Sequence, residues 1–154
     1  MNEGKKIASF EVNHNLLTEG IYVSRIDGDI TTYDLRTRVP NAGDYMDNLT
    51  MHSLEHMFAT YVRSSEIADS VIYFGPMGCQ TGFYLLVRNA DNGRVLEVVK
   101  STLCRIIDHD GEIFGYSAIE CGNYRNLDLS AAKVEAARYL AVLDSRDHDF
   151  KYKA

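Results

Sequence analysis

The sequence predicts an α+β fold, with a mainly antiparallel sheet packed against helices, in a single domain over residues 1–154. Three observations predict it. Short runs rich in β-branched and aromatic residues come in pairs, separated by turn residues. Three longer segments carry apolar residues at helical spacing, each behind an Asp, Asn or Ser suited to a helix N-cap. The chain has 154 residues, 45% hydrophobic and 25% charged, which is enough to bury a core without staples.

Taken in order, residues 20–25 and 30–36 are two extended runs around Asp27-Gly28-Asp29, the pattern of a hairpin. Residues 39–44 read as a loop. A helix begins at Asp47 or Asn48, carries Leu54, Met57, Phe58, Tyr61 and Val62 at helical spacing, and ends near Arg63-Ser64. Residues 71–74 are a short buried strand, 75–79 a tight turn or loop, and 82–88 a further strand. Asp91 or Asn92 caps a second helix whose apolar face is Val95, Val98, Val99, Leu103, Ile106 and Ile107. Residues 113–120 lead in extended form to Cys121. Asp128 or Ser130 starts the last helix, with Val134, Ala137, Leu140 and Ala141 expected inward. No repeat, low-complexity segment or linker interrupts this order.

Composition excludes several function classes. The formal net charge is −6, and the basic residues are scattered rather than gathered in a stripe, which argues against a nucleic-acid partner. No apolar run approaches the length that crosses a bilayer, and residues 1–15 lack the apolar core of a signal peptide, so a cytoplasmic protein is expected. Three cysteines at wide spacing, Cys79, Cys104 and Cys121, do not form a disulfide framework.

The densest chemical signal is His52-Ser53-Leu54-Glu55-His56. Histidines at i and i+4 lie one turn apart on one helix face and can reach a single metal. Glu55 lies beside them, placed to act as a general base. Cys121, in Glu120-Cys121-Gly122-Asn123, is a candidate third ligand; a thiolate with two imidazoles suits Zn²⁺ or Fe²⁺ and leaves a fourth position open. Taken alone, Cys121 also reads as a small buried residue. Cys79 lies in Pro76-Met77-Gly78-Cys79-Gln80-Thr81-Gly82, a sharply turned loop able to expose the thiol and aim amide N–H groups at it, the surroundings in which a thiolate forms readily. A buried turn cysteine is the alternative. Cys104 reads as helix packing, and His109 and His148 as solvated. Two other functions fit part of the pattern: a structural Cys₂His₂ metal module closed by Cys79, and an inverted-motif zinc peptidase, whose larger relatives take a downstream carboxylate as third ligand.

Together with Ser9-Phe10-Glu11-Val12-Asn13-His14-Asn15 and Tyr33-Asp34-Leu35-Arg36, these motifs resemble the S-ribosylhomocysteine lyase family, the autoinducer-2 synthases called LuxS. They occur in the family's order over nearly the whole chain. The resemblance implies metal ligands at His52, His56 and Cys121, acid–base residues at Cys79 and Glu55, and a substrate site lined by Ser9, His14, Arg36 and Arg63. It implies one Fe²⁺ per subunit, replaceable by Zn²⁺ or Co²⁺, and a homodimer with two sites at the interface. The implied reaction converts S-ribosylhomocysteine to homocysteine and 4,5-dihydroxy-2,3-pentanedione. Two departures stand out. Several relatives carry Asp-Ile-Ser where this chain has Tyr73-Phe74-Gly75, and Phe-Cys-Gln-Pro where it has Thr37-Arg38-Val39-Pro40.

Overall fold

Two β-hairpins joined edge to edge make the sheet. In the computed structural model, which describes residues 4–153, β1 (Gly20–Asp27) and β2 (Ile30–Arg36) form the first, and β3 (Val71–Pro76) and β4 (Gly82–Arg88) the second. All pairings are antiparallel, in the order β1-β2-β4-β3. The central pairing sets Leu35 opposite Phe83 and Arg36 opposite Gly82. Because side chains alternate across a strand, Tyr33, Leu35, Phe83, Leu85 and Val87 enter the core, while Asp34, Arg36 and Tyr84 lie on the other face.

The three longer helices cover the core face. A single turn, α1 (Ala8–Glu11), precedes the sheet; α2 (Asn48–Val62), α3 (Asn92–Ile107) and α4 (Leu129–Asp144) pack on it and on one another. Asp47, Asp91 and Asp128 cap the three long helices by accepting amide hydrogens of the first turn. The expected apolar faces of α2 and α3 are buried, with Phe58, Phe74 and Phe83 stacked where α2 meets the sheet.

Four expectations are corrected. Residues 113–120 form successive turns, not an extended run. In α4 the buried face is Ala132, Glu135, Ala136, Tyr139 and Leu143, while Val134, Ala137 and Ala141 are exposed. Glu135 can be buried because Arg38 meets its carboxylate with two hydrogen bonds, at 2.7 and 3.1 Å. Cys104 is exposed, not packed. His109 is buried: its Nε2–H donates to Glu112 O at 2.9 Å, and its Nδ1 accepts from the Tyr61 hydroxyl at 2.7 Å. His148 is half-buried and bonded to Leu143 O. Residues 148–153 return along β1, where Val23 N–H donates to Phe150 O and Tyr22 bridges Phe150 in parallel.

Candidate metal centre and thiol cleft

The i, i+4 spacing on α2 brings the His52 and His56 rings to 4.7 Å between centroids, nearly perpendicular. Each ring is oriented by a carbonyl. His52 Nδ1–H donates to Asn126 O at 2.9 Å, and His56 Nδ1–H donates to Phe114 O at 2.8 Å. These bonds fix the tautomer and leave both Nε2 lone pairs free, the outer support that metal-binding imidazoles use.

The loop between α3 and α4 brings in the third donor. Its end is pinned to α2: Asp128 N–H donates to the buried Ser53 hydroxyl, and the Asn126 side chain donates to Asn48. Cys121 Sγ then stands 3.4 Å from His52 Nε2 and receives Asn123 N–H at 3.4 Å. The donor atoms of His52, His56 and Cys121 lie within 4.8 Å of one another, a set that fits a divalent cation of borderline softness. Cys79 and Glu55 are not part of this cluster, so a closed Cys₂His₂ centre does not form among the described residues. Gly115 shapes the cluster from the loop side. Its φ is 76°, and a Cβ there would sit 2.6 Å from His56 Nδ1. Sequence reasoning missed this residue; a glycine within the segment that turns back onto the His-x-x-Glu-His helix was its only signal.

Cys79 lines a separate cleft. The turn after β3 is held by the Met77 and Gly82 backbones, and Gln80 adopts φ 66°. A left-handed glutamine is uncommon, and this one is fixed by hydrogen bonds in both directions with the Met46 backbone. The Cys79 thiol is thereby exposed, at the floor of a cleft of about 480 Å³ lined by Ser9, His14, Arg36, Pro76, Cys79 and Tyr84. That volume suits a small-molecule site. A second cleft, lined by His52, Glu55, Asn48, Asn123, Asn126 and Pro76, opens beside the metal cluster. Pro76 is the wall common to both.

Arg36 is only 3% exposed. Its Nε and Nη2 clamp Asp34 at 3.0 and 2.6 Å, and its Nη1 donates to Thr81 Oγ1 at 2.8 Å and approaches Cys79 Sγ at 3.9 Å. Thr81 Oγ1 is itself 3.0 Å from Cys79 Sγ. Burial works most strongly, against the guanidinium's charge, but Asp34, Cys79 and Tyr152 together outweigh it and the pKa rises above its ordinary value. The guanidinium is thus held by Asp34 and Thr81 on the lining of the cleft, beside the thiol. Arg63 lies outside both cleft linings, at the C-cap of α2, donating to Val71 O and Ile72 O. In Tyr73-Phe74-Gly75 the Tyr73 ring lies over Gly75, its hydroxyl in the space a Cβ would need.

A family model for S-ribosylhomocysteinase (LuxS) matches residues 7–149. The chain belongs to that family. The S-ribosylhomocysteine lyase of Finegoldia magna is 44% identical over 145 residues, covering 91% of this chain and 92% of its own. That of Desulfotalea psychrophila is 43% identical over 148 residues, covering 92% and 93%. That of Borreliella afzelii is 39% identical over 155 residues, covering 96% and 99%. Family membership therefore embraces both clefts and the three-donor cluster between α2 and the loop at Cys121.

Proposed function

We propose that this chain is a metal-dependent carbon–sulfur lyase that cleaves S-ribosylhomocysteine to homocysteine and 4,5-dihydroxy-2,3-pentanedione, the precursor of autoinducer-2. The observation that carries the reading is the cluster of three protein donors, His52, His56 and Cys121, with Glu55 in the cleft beside it and Cys79 in the adjoining one. Three donors are the count of a catalytic site, four that of a structural one. The relatives' names agree with this reading.

The ion assigned to the site is Fe²⁺, one per subunit, with Zn²⁺ or Co²⁺ able to replace it, since all three accept two imidazoles and a thiolate. Such an ion supplies Lewis-acid polarisation of the sugar's carbonyl or neighbouring hydroxyl oxygen, which acidifies the adjacent C–H. Cys79, beside Arg36, takes the C2 proton of the open-chain aldehyde and returns it to C1, so the carbonyl moves to C2. A second transfer moves it to C3. Glu55 then removes the C4 proton, the electron pair forms the C4–C5 double bond, and the homocysteine thiolate leaves C5 and is protonated. The enol left behind tautomerises to the diketone. Ser9 and His14, on the wall of the Cys79 cleft, hold sugar hydroxyls.

The acting form is a homodimer with each site at the interface and built from both chains. Two features support this: the reactive groups are divided between two clefts, and Phe10, Ile26 and Tyr73 are each more than half exposed. The cytoplasm is the assigned compartment because the chemistry needs Cys79 and Cys121 reduced. No helix is long and apolar enough to cross a membrane.

The test is thiol release. Protein purified under low oxygen is mixed with S-ribosylhomocysteine, and free thiol is followed before and after chelation. Release that stops on chelation and returns on adding metal is expected. No release from a metal-loaded dimer would overturn the reading.

A further inference from the structure

We propose that the C-terminal segment, residues 148–153, is part of the thiol cleft's machinery, and that Tyr152 is a positioning residue that fixes the charge environment of Cys79 through Asp34 and Arg36. The inference rests on the lyase reading for what Cys79 does, but not for how Tyr152 reaches it.

The connection is continuous and buried. Tyr152 donates its hydroxyl to Asp34 Oδ2 at 2.7 Å. Asp34 is fully buried, and the same Oδ2 accepts Arg36 Nη2 at 2.6 Å. Arg36 Nη1 ends the path, 3.9 Å from Cys79 Sγ. Asp34 thus divides its negative charge between a guanidinium and a phenol. Burial, reinforced by Asp34, pushes the Tyr152 phenol far above the ordinary range, so it stays a donor at every working pH.

The segment is built to deliver that hydroxyl. Phe150 has φ 64°, a conformation that an aromatic residue adopts only under constraint. The constraint is visible: the Phe150 carbonyl accepts Val23 N–H at 2.8 Å, and its ring packs edge-on to Tyr33. The chain then turns so that the Tyr152 ring stacks on Tyr22 at 5.1 Å. The ring is therefore held independently of its hydroxyl, and the hydroxyl has Asp34 as its acceptor.

Loss of the hydroxyl leaves Asp34 with less support for its charge. Its field then falls more fully on Arg36, and the thiolate state of Cys79 is less favoured. The other titratable or charged groups facing that thiol are His14 from the N-terminal segment and Tyr84 from β4, both on the cleft wall.

The experiment compares the metal-loaded protein with its Tyr152→Phe variant in a Cys104→Ser background, since Cys104 is also exposed. The rate of iodoacetamide alkylation at Cys79 is measured against pH by peptide mass spectrometry. In Tyr152→Phe the alkylation midpoint moves up, and the rate near pH 7 falls roughly fivefold. Lyase kcat falls in parallel, with KM little changed. Glu97→Ala, on the exposed side of α3 and outside both clefts, serves as the control, with no shift. Superimposable alkylation profiles for Tyr152→Phe and the parent, at equal metal content and thermal stability, overturn the proposal. If the parent shows no lyase activity, the functional reading fails while the alkylation comparison still decides the role of Tyr152.

Discussion

Replacing Gly115 with alanine should separate metal affinity from fold stability. At φ 76° an alanine is in the left-handed region, which costs about 1–2 kcal/mol. Its Cβ would lie 2.6 Å from His56 Nδ1 and 2.9 Å from Cε1, roughly 1 Å inside van der Waals contact. The imidazole cannot yield without straining its hydrogen bond to Phe114 O, worth about 1 kcal/mol. The total is about 2–3 kcal/mol, or about 4–12 °C in thermal midpoint for a chain of this size. Losing the orientation of one ligand should weaken metal binding by about 10–100-fold. The control is Gly111→Ala. Gly111 has φ 110° but nothing within 4 Å of an added Cβ. It should lose stability through the backbone alone and keep its metal affinity. Zn²⁺ affinity is measured by chelator competition, and ligand-field bands of the Co²⁺ form report the geometry. Equal metal affinity in the two variants would refute the claim that Gly115 acts through His56.

Three further outcomes are expected. Cys79→Ala should abolish turnover while retaining a full complement of metal, because Cys79 lies outside the donor cluster; retained turnover would remove it from the reaction. Glu135→Ala should destabilise the fold by about 3 kcal/mol, since it strands the largely buried Arg38 with only the exposed Asp44; urea denaturation measures this, and a loss below about 1 kcal/mol would contradict it. The Asp47 carboxyl is held below its ordinary value by its hydrogen bonds to Thr50. With the folded value lower than the unfolded one, its contribution is complete above about pH 4 and fades as pH falls through the depressed value. Asp47→Asn keeps the cap acceptor but not this dependence, so the urea midpoints of variant and parent should converge in acid.

The sequence was most legible where structure is local. The Asp-Gly hairpin, the three aspartate caps and the i, i+4 histidines each depend on neighbours within a few residues, and all are found in place. It was least legible where a distant partner decides. Val134, Ala137 and Ala141 offered α4 an apolar stripe, but Arg38 makes Glu135 the buried residue instead. His109 has charged sequence neighbours, yet Tyr61 on another helix and Glu112 O satisfy both ring nitrogens, so burial carries little penalty. The metal cluster joins residues 52 and 121, and only the hydrogen bonds between the intervening loop and α2 show how Cys121 arrives. Likewise Arg36 meets Cys79 through the β2–β4 register, a pairing that no local pattern announces.

The Tyr73 ring resting over Gly75 has a consequence for how such sequences change over time. A serine at position 75 and a flat-lying tyrosine at position 73 need the same volume, so the residues at these two positions are coupled. The side chain at 75 must be lost before the ring can settle, and restoring it first would turn the half-exposed ring out into solvent rather than unfold the strand. Of the two single changes, only loss of the side chain at 75 makes room for the ring where it now lies. Lineages carrying tyrosine at position 73 in this orientation should therefore carry glycine two residues later.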